Sequence, residues 1–462
     1  MEDATAAPER RKQPRAWWKV GPRGALILLL LCYAVNFADR TIVNTVGEAI
    51  KDDLRLSDTE LGLLGGLSFA LFYATMGIPI ARLAERVSRV NIIAVSIAVW
   101  SGMTALCAGA ATYSQLLLAR MGVGVGEAGL SPAAQSLIAD YYPPERRSTA
   151  VSIYYIGVPL GVFGGAIATG LIAETYGWRA AFLILGLPGL ALALLVKVLM
   201  PEPRRGAHDA AHAQETTAPP LSAVIKRLWS NPVLRHVIIA NTLAGFAGYA
   251  IGQFMHPLFV RQFGLSYAEG AFLYGTLAAL SAGIGSPVGG LLSDWAARRD
   301  RRWLAWMSAI GLIAAGPFYL LAFFQSEWLM ASILLFIPGF LNNMSNGPTF
   351  ALVHNDISPR MRATAIAIVI FMSAMIGAGL GPLLTGIASD LFATSFYQGP
   401  GSFAEFCPGG RALPEAGGAQ AMACRTASGL GVQSALGLIG FVFAWAGIHF
   451  LIVARHMRQA HD

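Results

Sequence analysis

The chain is poor in charge. Only 13% of its 462 residues are Asp, Glu, Lys or Arg, against 55% that are hydrophobic, and so few polar side chains cannot cover a water-soluble fold of this length. Lipid is the expected solvent. Cysteine is scarce as well: four residues do not make a disulfide scaffold. Cys32 and Cys107 fall in apolar runs and read as packing, whereas Cys407 and Cys424 fall in a polar Gly/Pro-rich stretch where an oxidising compartment would permit a disulfide. Also lacking is a deep His/Glu cluster or nucleophile pair, so an intramembrane enzyme is not expected. His256 and His354 lie near the ends of apolar runs and read as interfacial. His208 and His212 have a helical metal-ligand spacing, but they sit in a loose Ala/Pro segment, and neither metal nor cofactor is expected. The net charge of +7 does not mark a nucleic-acid binder, because the basic residues form short clusters between apolar runs and no continuous face.

What the chain does have is long apolar runs. Twelve are long enough to cross the ~30 Å hydrocarbon core as helices: 24–47, 61–83, 90–111, 115–139, 148–173, 180–200, 233–258, 268–293, 303–325, 329–353, 363–391 and 430–454. The run after the basic segment 1–23 is too long for a cleaved signal peptide and reads as the first span. Arg and Lys alternate between connections. Arg10, Arg11, Lys12 and Arg15 are followed by Arg82, Arg86 and Arg89, by Arg146 and Arg147, and by Arg204, Arg205, Lys226 and Arg227. Arg298, Arg299, Arg301 and Arg302, then Arg360 and Arg362, then Arg455 and Arg458 complete the set. The intervening connections are short or acidic, with Asp52, Asp53, Asp58 and Glu60 in one and Glu405 and Glu415 in another. Basic loops stay inside, which predicts two cytoplasmic termini, and the compact Ala/Gly/Arg-rich composition points to a bacterial inner membrane.

The expected fold is an all-α membrane protein of twelve transmembrane helices in two pseudo-symmetric six-helix bundles. The segments are a tail 1–23, a bundle 24–200, a cytoplasmic linker 201–230, a second bundle 231–455 with an extracytoplasmic loop 393–428, and a tail 456–462. A shift of 209 residues lays Leu56-Ser57-Asp58-Thr59-Glu60 on Leu265-Ser266-Tyr267-Ala268-Glu269, Glu85 on Asp294 and Arg89 on Arg298. A shift of 215 lays Arg147 on Arg362. Duplicated halves of this kind bind substrate between them and alternate access by rocking.

Ionisable residues deep in a span cost at least ~2.5 kcal/mol and are rarely idle. Four stand out, Asp39, Arg40, Arg120 and Glu127, all in the first half, which is therefore expected to hold the energy coupling. At 1.5 Å per residue Asp39 and Arg120 fall at similar height, and Glu127 lies two turns from Arg120 on one face, about 10 Å deeper. Gly124 and Ser131 share that stripe, and Gly122, Gly124, Gly126 and Gly129 allow a close helix approach. A buried carboxylate beside an arginine can load and release a proton, while the plainer alternative is a static ion-pair network. Gly124 to Gly129 also match G-x-G-x-x-G, but no strand–helix unit surrounds them. Asn343-Met344-Ser345 is a sequon inside a span. Gly157 to Gly161, and Gly377, Gly379, Gly381 and Pro382, read as tight packing and hinges. Tyr154, Tyr155, Phe246, Tyr249, Phe254 and Phe371 are candidates to line an apolar cavity.

The segments 81–89 (ARLAERVSR) and 290–298 (GLLSDWAAR) resemble the loop signature of the major facilitator superfamily, with departures at Ala81, Glu85 and Ser88. The resemblance implies cytoplasmic gating by Arg82, Glu85, Arg86, Arg89, Asp294 and Arg298, joined by Arg147 and Arg362. More narrowly, the first half is similar to the Spinster branch. The matching residues are Asn36-Phe37-Ala38-Asp39-Arg40, Arg120 to Ala128, Leu137-Ile138-Ala139-Asp140, Arg147-Ser148, Ser152 to Tyr155 and Pro159-Leu160-Gly161. That resemblance implies carriage of lysolipids or sphingoid phosphates, with Asp39 and Glu127 as protonation sites and Arg40 as a partner to them or to an anionic headgroup. The expected substrate contacts are Arg40, Arg120, Asn36, Ser131, Tyr154 and Tyr155. The reading is a monomeric, proton-coupled carrier whose partners are an amphiphilic or anionic substrate, protons and the bilayer. Small organic anions are the alternative cargo. An uncoupled channel or receptor is the alternative class, though a channel would show a ring of like residues around a pore.

Overall fold

The computed structural model describes residues 18–207, 220–358, 361–414 and 416–459, and their regular structure is helical throughout. Arg10, Arg11, Lys12, Arg15, His208, His212, Arg360 and Glu415 lie outside the described residues, as do residues 460–462 and the side chains of His354, Arg362 and Arg458.

Eleven helices are long and apolar enough to cross a membrane: Pro22–Leu54, Asp58–Ala84, Arg89–Cys107, Thr149–Tyr176, Trp178–Leu199, Pro232–Phe263, Tyr267–Ala297, Trp303–Phe323, Trp328–Val353, Thr364–Phe396 and Gly418–Met457. The remaining crossing, fourth in order, is the pair Tyr113–Glu127 and Leu130–Tyr141. We number the crossings one to twelve. The fourth was expected as one continuous span, but it breaks at Ala128 and Gly129, directly after Glu127. Its glycines weaken the helix and are needed for packing. A Cβ on Gly126 would stand 2.6 Å from the Trp100 nitrogen in crossing three.

Crossing twelve starts at Gly418, well before the expected 430, because its polar but Ala-rich first turns are good helix formers. The loop expected at 393–428 is therefore shorter, and Cys424 lies on a helix, bonded to Cys407 in the loop. Crossing one likewise runs past its expected end at 47, to Leu54, carrying Glu48 and Lys51 into the interior. The linker, expected to be loose, contains a helix Leu221–Ser230 that buries Val224 and Leu228.

The repeat is visible in local structure. Ser57 with Glu60 and Ser266 with Glu269, within the aligned pentapeptides, form capping boxes at the starts of crossings two and eight, 209 positions apart in the sequence. Packing repeats as well: crossing two lies against eleven and crossing five against eight, the same contact exchanged between halves. At the first of these contacts the backbones touch. A Cβ on Gly386 would sit 2.1 Å from the Asp58 carbonyl oxygen, and one on Gly62 would sit 2.3 Å from that of Pro382. Within the first half, Gly157, Gly161 and Gly165 receive the backbone of crossing one at Leu30, Ala34 and Ala38, a small-residue seam. Crossing eleven contains a π-helical stretch, Ser373–Leu380, at the glycines expected to hinge.

At one end of the bundle crossing one starts beside the end of crossing six, and crossing seven starts beside the later turns of crossing twelve. The Val20 N–H donates to the Leu199 carbonyl at 3.0 Å, and His236, at the start of crossing seven, pairs ring nitrogens with His449 of crossing twelve at 2.7 Å. We call this the terminal end and its opposite the far end.

Candidate functional site

A cavity of about 460 Å³ lies between the halves. The first half contributes Phe37, Arg40, Thr41 and Asn44 from crossing one and Val158, Pro159 and Val162 from crossing five. The second half contributes uncharged hydrogen-bonding groups, among them Asn241, Ser281, Asn342, Asn343, Thr349 and Ser373, together with Tyr249, Tyr274 and Tyr319. Arg40 is the one charged residue in this lining among the described residues. The cavity is thus a mixed polar and apolar chamber with a single fixed cation, the kind of surface that receives a small molecule bearing one negative charge.

Behind Arg40 the four intramembrane residues meet. The Arg40 Nε donates to Glu127 Oε2 at 2.6 Å, and its guanidinium lies 5.1, 4.9 and 4.6 Å from the rings of Phe37, Phe69 and Tyr73. Asp39 is buried, and the Thr104 hydroxyl donates to its two oxygens at 2.7 and 2.9 Å. Its carboxylate lies close enough to Glu127 and Arg120 to feel both. Satisfaction is incomplete: Glu127 Oε1 and the Nε and Nη1 of Arg120 have no hydrogen-bond partner among the described residues. An unpaired buried charged atom costs about 1–3 kcal/mol or more, so this cluster is held short of its best bonding.

The other expected substrate contacts stand back from the cavity. Arg120 and Asn36 are buried, Arg120 with its guanidinium 5.5 Å from the Phe69 ring. Tyr154 is fully buried, stacked on Tyr33 at 4.2 Å inside the core of the first half, with its hydroxyl 3.5 Å from that of Ser131. Tyr155 is exposed on the same ring cluster. Of the candidate cavity aromatics, Tyr249 lines the chamber, while Phe254 is buried in the core of the second half. His256 is fully buried, with its Nε2 3.1 Å from the Tyr267 carbonyl at the start of crossing eight.

Charge is not confined to the first half. At the far end Arg261 of crossing seven enters the first half and donates to Glu48 at 2.7–2.9 Å and to Asp58 at 2.7 and 2.8 Å. Lys51 also donates to Asp58, which accepts from Ser389 of crossing eleven at 2.6 Å. Asp390 then accepts the backbone N–H groups of Asp58 and Thr59 at 3.0 and 2.8 Å, so a side chain of the second half caps a helix of the first. Tyr267 donates to Asp52 at 3.0 Å, and Asn44 donates to Tyr274 at 3.2 Å nearer the cavity. Among the described residues, the hydrogen bonds and ion pairs that join the halves all lie at the far end or at this Asn44 contact.

Sequence reasoning passed over this gate. Glu48 and Lys51 fall past the hydropathic end of their span and Arg261 past the end of its own, and none of the three was singled out. A signal was present in Glu48 and Lys51, which stand three apart, one turn, just beyond an apolar run.

At the terminal end the bonds of Arg89 lie within the first half and its link to the second. Arg89 is buried and paired with Asp140, and it donates to Glu202 at 2.8 Å and to the Ser136 hydroxyl at 3.0 Å. Glu202, the first acid of the linker, also accepts the Val90 N–H at 3.0 Å and the Ser88 hydroxyl at 2.8 Å. Burial works against its charge, yet these donors together hold its carboxyl below the usual glutamate range. Arg147 donates to the Ala139 and Tyr142 carbonyls at 3.0 and 3.2 Å. Arg82, Glu85, Arg86, Asp294 and Arg298 are exposed.

Two six-helix halves joined at one end around a central chamber define a membrane transporter, and the Major Facilitator Superfamily profile matches residues 29–382; the chain belongs to that family. An MFS-type efflux pump of Mycolicibacterium smegmatis is 31% identical over 83% of this chain and 86% of its own. Protein spinster homolog 1 of Xenopus tropicalis is 27% identical over 79% of this chain and 72% of its own, and the sphingosine-1-phosphate transporter of the same frog is 25% identical over 86% and 78%. The crystal structure of a bacterial homolog to the human lysosomal transporter Spinster, inward-facing and unoccupied, superposes with a TM-score of 0.87 at 32% identity. It covers 96% of this chain and 98% of that one. Within the superfamily, this is a Spinster-like transporter.

Proposed function

We propose that this transporter carries an anionic single-tailed amphiphile, of the lysophospholipid or sphingoid-phosphate class, by alternating access coupled to protons. The carrying observation is Arg40: it is the lone fixed charge at the chamber wall, and it is held by Glu127. A substrate headgroup and the Glu127 carboxylate compete for one guanidinium. Headgroup binding strips Glu127 of its partner in a buried site and so favours its protonation, and protonation in turn frees Arg40 for the headgroup. Asp39, which accepts from the Thr104 hydroxyl, is the second proton site. The apolar and aromatic lining supplies a bed for a hydrocarbon tail.

By the positive-inside pattern the terminal end faces the cytoplasm of a bacterial inner membrane, and the far end is extracytoplasmic. Cross-half bonds at the far end then make this the inward-facing state, like the Spinster homolog it superposes on. For the halves to rock, the Arg261 clamp and the Asp390 cap must let go.

The test is uptake or release of lysophospholipid, sphingosine phosphate and a small organic anion by reconstituted liposomes under an imposed pH gradient. Acceleration of the amphiphiles by the gradient, lost in Asp39→Asn and Glu127→Gln with folding retained, is the expected result. Indifference of every cargo to the gradient refutes coupling, and acceleration of the organic anion alone replaces the cargo.

A further inference from the structure

At the extracytoplasmic end a second cavity of about 500 Å³ sits above the gate, lined by Glu48, Arg261, Arg411, Arg425 and Ser428 and by the loop backbone from Gly409 to Pro414. Its roof is the loop closed by the Cys407–Cys424 disulfide. Gly409 and Gly410 adopt φ of 66° and 80°, a left-handed turn that disfavours larger residues, and the turn lays the loop on crossing one. A Cβ on Gly409 would stand 3.0 Å from the Arg55 carbonyl carbon, and Arg411 pairs with Asp52 of the first half.

Of the three arginines that line this vestibule, Arg261 is committed to Glu48 and Asp58 and Arg411 is paired with Asp52. Arg425 is exposed and has no hydrogen-bond or ion-pair partner among the described residues. One wall residue, Leu265, also lines a third cavity of about 400 Å³ with Ala268, Glu269, Phe272, Leu273 and Trp328. Apart from Glu269, whose carboxylate caps the start of its own helix, that groove is apolar, and its Phe272 and Trp328 are 52% and 40% exposed on the outside of the bundle, where crossing ten begins at the membrane interface. A cationic pocket therefore shares a wall with an apolar groove on the lipid side.

We propose that these two cavities form an amphiphile site at the extracytoplasmic gate, with a phosphomonoester head among Arg411, Arg425 and Arg261 and the tail along Leu265, Phe272 and Trp328. The proposal rests on the amphiphile reading above. It adds a second station for the same cargo and a route between the outer leaflet and the gate. A head seated there competes with Glu48 and Asp58 for Arg261 and loosens the clamp that keeps the far end shut.

The experiment measures equilibrium binding of lysophosphatidate, glycerol 3-phosphate and monoacylglycerol to the full chain in nanodiscs, comparing wild type with the exposed-site variants Arg425→Gln and Arg411→Gln/Arg425→Gln and with Arg40→Gln. Loss of charge-assisted contacts predicts about tenfold weaker lysophosphatidate binding at one class of sites in the double variant, with a smaller loss in Arg425→Gln. The central sites are lost only in Arg40→Gln. Equal affinity in the double variant and wild type overturns the site. Glycerol 3-phosphate binding as tightly as lysophosphatidate overturns the tail groove and leaves a free-phosphate pocket. If wild type moves no amphiphile yet binds lysophosphatidate in an Arg425-dependent way, the transport reading fails and this site stands.

Discussion

Arg261 and Arg120 are both buried arginines in the same bundle, yet they live differently. Arg261 bonds through its guanidinium to Glu48, Asp58 and Ser428, whereas two of the three guanidinium nitrogens of Arg120 have no hydrogen-bond partner among the described residues. The first belongs to a saturated network that fixes how the halves meet. The second belongs to a cluster left unsatisfied around Asp39 and Glu127, where a proton or an anion can still change the bonding. A transporter needs both, one region that defines a state and one that responds to a ligand.

Substitutions that remove charge without much volume separate the two. Arg261→Met strands Glu48 and Asp58 and is expected to cost the closed far end about 3–5 kcal/mol, which moves the population toward outward opening more than a hundredfold. Spin-label distances between the outer ends of crossings two and eleven should lengthen; unchanged distances would remove the clamp from the gate. Asp390→Ala deletes a helix cap between halves and should weaken the same contact by about 1–2 kcal/mol, read by the same distances.

Glu202→Gln probes the linker latch and should lower thermal stability by about 0.5–1.5 kcal/mol. Its carboxyl is more acidic folded than unfolded. The latch is therefore complete above the ordinary glutamate range and fades as pH falls through the lowered folded value, so the variant's deficit should shrink on acidification. A deficit independent of acid pH would assign the loss to packing. Arg120→Met is expected to move stability by less than about 1 kcal/mol, of either sign, while slowing gradient-driven transport. A melting loss as large as that of Arg261→Met would erase the contrast between the two regions.

Much of the frame was legible beforehand. Apolar runs located the crossings because every backbone group in lipid must bond within its own helix. The offset pentapeptides at Ser57 and Ser266 marked the repeat, and the structure turns both into capping boxes, a local contact spelled by four adjacent residues. Asp39, Arg40 and Glu127 stood out because charge inside an apolar run is conspicuous. The gate did not: Glu48, Arg261 and Asp390 lie at span ends, where charge is ordinary, and only their meeting makes them unusual. Tyr154 misled for the complementary reason, because an aromatic in a span carries no mark of whether it faces a chamber, lipid or another ring.

The sequence by itself determined that this chain spans a membrane twelve times in two related halves and that Asp39, Arg40, Arg120 and Glu127 bear charge at depth. Period, length and hydropathy are properties of one helix against its solvent. Tertiary structure alone decided that Arg40 reaches the chamber while Arg120 does not, that Arg261 clamps the far end, and that a disulfide-closed loop roofs a cationic vestibule. Those are relations between helices hundreds of residues apart, fixed by close backbone packing at Gly62 and Gly386 and by the pairing of charges that no single segment contains.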